Sequence, residues 1–151
     1  MATVNYAEIS DAVREASRMK SFPLAVNFLR SADAFPEKTR SPARDLGKRI
    51  TICQAVSMVR LYGWTVGLTK DDLICVPAMI AFGFSGAEDI GGTLGELFCE
   101  VGFHPEAASA ADEAENICTL ENDAYPAILM APLSKGLFEP DTVAFYGNPA
   151  Q

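Results

Sequence analysis

At 151 residues the chain can bury one real core, and 49% hydrophobic against 21% charged residues is a globular balance that excludes disordered and fibrous classes. A net charge of −8 argues against a general nucleic-acid binder, which needs a broad basic face. The charge is uneven: residues 1–70 carry 11 basic and 6 acidic side chains, residues 71–151 carry 1 and 14, and half of all Lys and Arg lie between Arg30 and Arg49.

Residues 5–20 read as an amphipathic helix with Tyr6, Ile9, Val13 and Ala16 on one face, opened by an Asn5–Glu8 capping box. Leu24–Leu29 reads as a strand with Leu24, Val26 and Phe28 on one face. Arg30–Arg49 is polar, carries Pro36 and Pro42, and reads as a long loop with a short helix near its end. Ile52–Tyr62 is an apolar helix between a Thr51 cap and a Gly63 stop. Trp64–Leu68 is a short strand, and Thr69 with Asp72 marks another helix start. Pro77–Phe82 is a short buried helix ended by Gly83, followed by a glycine-rich link to Gly92.

Thr93 and Glu96 form a capping-box pattern before a helix with Leu94, Leu97, Phe98 and Val101 on its apolar face. Glu106–Ile117 is an alanine-rich, acidic, largely exposed helix. Ala127–Ala131 is an unbroken apolar run, as in a strand covered on both faces, and Thr142–Tyr146 is the last strand. The fold class is therefore α/β: one layered domain over residues 1–151, a mixed sheet of about four strands with flanking helices. Val26, Phe28, Val56, Val59, Val66, Leu97, Phe98, Leu129, Val143 and Phe145 are expected in its core.

The opening residues have no basic and apolar leader pattern, and the longest apolar stretch, Ile74–Phe84, is broken by Pro77 and falls short of the ~20 residues a bilayer span needs. A cytoplasmic location with no membrane and no nucleic-acid partner is the expectation. Gly147-Asn148-Pro149-Ala150-Gln151 reads as a helix start, Asn as N-cap and Pro at the first helical position, so a C-terminal continuation is expected.

An ordered series of motifs carries a family resemblance. Pro23-Leu24-Ala25-Val26-Asn27-Phe28-Leu29 comes first, then Cys53-Gln54-Ala55 opening a helix that runs to Arg60 and Gly63. Thr69-Lys70-Asp71-Asp72 leads to Cys75, Pro77, Ala78 and Gly83. Ala131-Pro132-Leu133, Glu139-Pro140-Asp141-Thr142-Val143 and Tyr146-Gly147-Asn148-Pro149-Ala150-Gln151 follow, the last being the most specific. The series, over about residues 20–151, resembles the prokaryotic family known as domain of unknown function 169. Family members continue past the Gly-Asn-Pro-Ala-Gln motif with a helix and a further lobe that loosely repeats the first. The resemblance thus implies one lobe of a two-lobed fold, and it implies no reaction.

Four cysteines, Cys53, Cys75, Cys99 and Cys118, stand without any Cys-x-x-Cys pair, so the usual zinc and ferredoxin signatures are absent. Cys53 opens one helix and Cys75 lies just ahead of another, and helix N-termini favour anions, thiolates among them. The plain alternative is that both are small buried hydrophobes, as free Cys usually is. His104, the sole histidine, precedes Pro105 at a helix start and fits a capping or surface role. Gly91-Gly92-Thr93-Leu94-Gly95 could seat a phosphate but matches no phosphate-loop signature, and a hinge fits it better. Two function classes remain. One is a module binding a small anionic molecule or cofactor through Arg40, Arg44, Cys53, Gln54, Cys75, Asn148 and Gln151. The other is a thiol- or metal-dependent redox protein, with an iron-sulfur cluster in scope, in which Cys53 and Cys75 converge. The basic segment suits a small anion or an acidic protein partner. The metal reading would draw further ligands from Cys99, Cys118, a second lobe or a second copy in a homo-oligomer.

Overall fold

The computed structural model describes residues 4–86 and 88–147. The chain divides into two compact bodies, Met1–Ile74 with Pro126–Gln151, and Cys75–Tyr125. All 12 Lys and Arg belong to the first body, which has a net charge of +2; the second has no Lys or Arg and a net charge of −10.

The first body contains helices α1 (Tyr6–Ala16), α2 (Pro42–Leu46) and α3 (Ile52–Tyr62), and strands β1 (Leu24–Leu29), β2 (Val66–Leu68), β3 (Ala127–Pro132) and β4 (Thr142–Ala144). The sheet order is β2-β3-β1-β4, and all three ladders are antiparallel. The four strands and flanking helices are as the sequence implies, but the mixed character is not in the ladders. Parallel pairing is confined to two isolated bridges, Arg40 with Val66 and Ile50 with Leu73. The cause is topological. β1 and β2 both run against β3 and so run parallel to each other, joined by the crossover that contains α2 and α3. β3, from far along the chain, enters between them as in a split β-α-β unit.

Helix α3 forms because its ends are stopped on both sides. Thr51 Oγ1 accepts from the Gln54 N–H and Gln54 Oε1 accepts from the Thr51 N–H, while Gly63 takes the left-handed conformation at the other end. Its buried face, Ala55 and Val59, packs against β1, β2 and β3. Every residue of β3 is buried, as an apolar central strand should be.

Of the ten expected core residues, Val59, Val66, Phe98 and Leu129 are buried, and Val26, Phe28, Val56 and Leu97 are half-buried. Val143 and Phe145 are exposed, at 39% and 61%. β4 is an edge strand of three residues paired only with β1, so its period-2 pattern does not bury a face. Ladder-like bonding continues beyond it through side chains: the Phe28 N–H donates to Asp141 Oδ2 at 2.7 Å, and Asn27 Nδ2 donates to the Glu139 carbonyl at 2.8 Å.

Thr69 and Asp72 form a capping box, but around a single 3₁₀ turn, Lys70–Asp72, rather than a helix. Asp72 is 2% exposed, and its carboxylate is filled by donors from two segments. Oδ1 accepts from Ser41 Oγ at 2.7 Å and from the Ala43 N–H at 2.9 Å; Oδ2 accepts from the Thr69 N–H and Thr69 Oγ1, both at 2.9 Å. This ties the start of α2 to the turn after β2.

The second body consists of α4 (Val76–Ala81), α5 (Ile90–Glu100) and α6 (Ala107–Glu115) around Ile80, Leu94, Phe98, Ala110 and Ala114. α5 starts four residues earlier than the Thr93–Glu96 pattern implies, its cap at residue 89 rather than 93. Its cap is Asp89, whose Oδ1 accepts from the Gly92 N–H at 2.8 Å, and Gly91 and Gly92 lie within the first turn. The glycines serve packing: a Cβ on Gly95 would stand 3.0 Å from the Ala111 nitrogen, so α6 crosses close to the α5 backbone. α6 is exposed apart from the Ala110–Ala114 seam and the half-buried Ala111.

Replacing Asp72 with Ala strands four donors in a buried position, and such losses cost about 1–3 kcal/mol per uncompensated group. Urea denaturation should show Asp72→Ala to be among the most destabilising single changes in the first body, with a loss of at least about 3 kcal/mol.

Candidate anion site

Arg40 and Arg44 are seven and three residues upstream of Gly47 in the basic segment, and the structure gives them different tasks. Arg44 is committed internally. Its Nε and Nη2 grip Asp45 Oδ1 and Oδ2 at 2.7 and 2.9 Å, and Nη2 also donates to the Thr39 carbonyl at 2.7 Å. The Arg44 hydrogen bond, with the Ser41 N–H next, holds the Asp45 carboxyl down at about 2, and the same pairing raises the Arg44 guanidinium further.

Arg40 is held by backbone and ring instead. Its N–H donates to the Thr65 carbonyl and its carbonyl accepts from the Gly67 N–H, both at 2.9 Å, so it extends the β2 edge by one residue. Its guanidinium carbon lies 3.9 Å from the centre of the Trp64 ring, a cation–π contact made by the face of the guanidinium rather than by its N–H edge. Arg40 also lowers the Asp45 carboxyl, but that carboxylate is already gripped by Arg44.

The residue that completes the cluster is Lys135, in the turn after β3. Its Nζ donates to Oγ1 of the buried Thr65 at 3.1 Å. Partial burial of the ammonium, and secondly the Arg40 charge, push Lys135 below the usual lysine range. Among the described residues neither Arg40 nor Lys135 has a carboxylate within ion-pair distance. Two cations, an aromatic floor and a buried hydroxyl thus meet at one end of the sheet. Sequence reasoning found Arg40 but missed Lys135, Trp64 and Thr65. A signal existed: Lys135 is the single Lys or Arg in residues 71–151, and Trp64 is the only tryptophan.

Cys53 and Gln54 sit elsewhere, in the first turn of α3, where both are exposed. With Ser57, Met58 and Tyr62 they line an open groove of about 330 Å³. The side-chain carbonyl of Gln54 is used by the capping box. Cys75 caps α4 through its backbone, is half-buried, and belongs to the second body. Asn148 and Gln151 lie outside the described residues. The metal expectation finds no site: among the described residues no group of three or more His, Cys, Asp or Glu could hold an ion. Cys53 is the first body's single cysteine, and that body has no histidine. His104 is half-buried, its Nε2 paired with Glu113 Oε2 at 2.5 Å and its ring stacked near Phe98. At the start of α5 the Asp89 carboxylate already occupies the place a phosphate would take. None of the described helices is long and apolar enough to cross a membrane.

The model of the family described as Uncharacterised ArCR matches residues 12–151. Searches among curated proteins and among solved structures find no match.

Two outcomes test these placements. Because the Asp45 carboxyl is lowered, the Arg44 pairing contributes fully above the ordinary aspartate value of 3.8 and is lost as pH falls towards about 2. Carboxyl NMR should place Asp45 near 2 and show Arg44→Gln restoring it towards 3.8. A thiol reagent applied to native protein should modify the exposed Cys53 and Cys118 fast and the half-buried Cys75 and Cys99 slowly, with mass spectrometry assigning the order.

Proposed function

We propose, of a chain that belongs to the Uncharacterised ArCR family (domain of unknown function 169), that it is a binding module for a small anionic molecule held between Arg40 and Lys135. The observation that carries this reading is the pair of neighbouring cations without a carboxylate of their own. Two like charges near each other cost energy in the empty site, and an anion placed between them converts that repulsion into attraction. The guanidinium fork can receive two oxygens of one phosphate or carboxylate while the ammonium adds a point charge. Trp64 fixes the guanidinium before the ligand arrives, which lowers the entropic cost of binding. Arg44 acts one step back: by chelating Asp45 it keeps that carboxylate from neutralising Arg40.

Inorganic phosphate is the first probe, titrated calorimetrically at low salt. Arg40→Gln and Lys135→Gln should each weaken binding by about tenfold or more, since hydrogen bonds to charged groups are worth roughly 1.5–3 kcal/mol. Arg44→Gln should weaken it less, by releasing Asp45 towards Arg40. Affinity should also fall as pH rises through the lowered Lys135 value, because the anion favours the charged ammonium. Affinity indifferent to both Arg40→Gln and Lys135→Gln would refute the site.

A further inference from the structure

The cation pair does not stand alone on its surface. Trp64, which carries Arg40 on its ring, also contacts Tyr62, with ring centres 5.7 Å apart and planes tilted by 47°. Tyr62 is the last residue of α3, is 66% exposed, and closes the end of the open groove described above. A charged end and an apolar channel are therefore joined through two aromatic rings, all within the first body. The groove is lined by Cys53, Gln54, Ser57, Met58 and Tyr62, with no Asp, Glu, Lys or Arg among them.

We infer that the ligand of this site is a phosphate monoester with a flat apolar body, its phosphate on Arg40 and Lys135 and its body on Tyr62 at the mouth of the α3 groove. The inference rests on the reading of Arg40 and Lys135 as an anion site. Three observations favour this class. Two cations match the two charges of a phosphate monoester better than the single charge of a carboxylate. The steps from guanidinium to Trp64 and from Trp64 to Tyr62, 3.9 and 5.7 Å, put an upper bound on the distance from guanidinium to Tyr62 that is within reach of one ester-linked aromatic ring. An exposed Tyr beside Met58 offers an aromatic and a thioether surface, which favour ring stacking over extended chains or charged bodies. Thr65 adds selectivity at the phosphate end: its oxygen accepts from Lys135, so its own proton can point to a ligand oxygen.

Because Trp64 is the sole tryptophan, its fluorescence reports on the site directly. Titrations with inorganic phosphate, phenyl phosphate and phenol, read by Trp64 fluorescence and by calorimetry, form the test. Phenyl phosphate should bind at least tenfold more tightly than inorganic phosphate, and phenol should not reach measurable affinity. Tyr62→Ser, at an exposed position whose fold is checked by circular dichroism, should reduce phenyl phosphate to the affinity of inorganic phosphate. Equal affinities for the two phosphates, or a Tyr62→Ser protein that keeps the preference, would overturn the inference while the anion site stands. Failure of both phosphates to bind the unaltered protein would overturn the anion site itself, and binding of inorganic phosphate without phenyl phosphate would overturn the inference alone.

Discussion

The buried carboxylate of Asp72 is the constraint on which the described surface depends. A carboxylate at 2% exposure is tolerable only when its lone pairs are filled, and here two segments distant in sequence, Ser41 with Ala43 and Thr69, fill them. The Ser41 and Ala43 donors pin the end of a long polar loop, and the Thr69 donors pin the turn after β2. With Ser41 fixed, Arg40 has one place to go: alongside Val66, where its backbone joins the sheet edge. A loop that would otherwise sample many conformations thus delivers one guanidinium to Trp64.

Charge segregation explains why that guanidinium matters in an acidic protein. The second body carries ten carboxylates and no Lys or Arg, so the first body by itself has a net charge of +2 within a chain of −8. What acts over the Debye length of about 8 Å is the local set of groups. There, Asp45 is gripped by Arg44, while among the described residues neither Arg40 nor Lys135 has a carboxylate within ion-pair distance.

The local elements were legible in the residues because their signals are short-range. The Thr51–Gln54 cap and Gly63 stop bound α3, and the apolar run at Ala127 marks the central strand. What escaped was long-range. Nothing near Ala127 says that it will insert between β1 and β2, and without that insertion the sheet reads as mixed rather than antiparallel. The Thr93–Glu96 pattern misled because Asp89 is an equally good cap earlier in the chain, and the close approach of Ala111 makes Gly91–Gly95 a helical packing surface rather than a link. For the site, Arg40 was visible through the density of basic residues around it. Lys135 was not, because 95 positions separate it from Arg40 and only the antiparallel return of β3 closes that distance.

The same topology separates the thiol chemistry from the anion chemistry. Cys53 is the first body's single cysteine, while Cys75, Cys99, Cys118 and His104 all belong to the second. A structural zinc takes four ligands and an intramolecular disulfide two thiols, and Cys53 finds neither set within the first body. Its place in the first turn of α3, beside Gln54 and Ser57 and one helix length from Tyr62, makes it instead part of a wall without acidic or basic side chains. Of the two cysteines that looked like a thiol centre in the sequence, Cys53 lines a groove of the first body, while Cys75 belongs to the second.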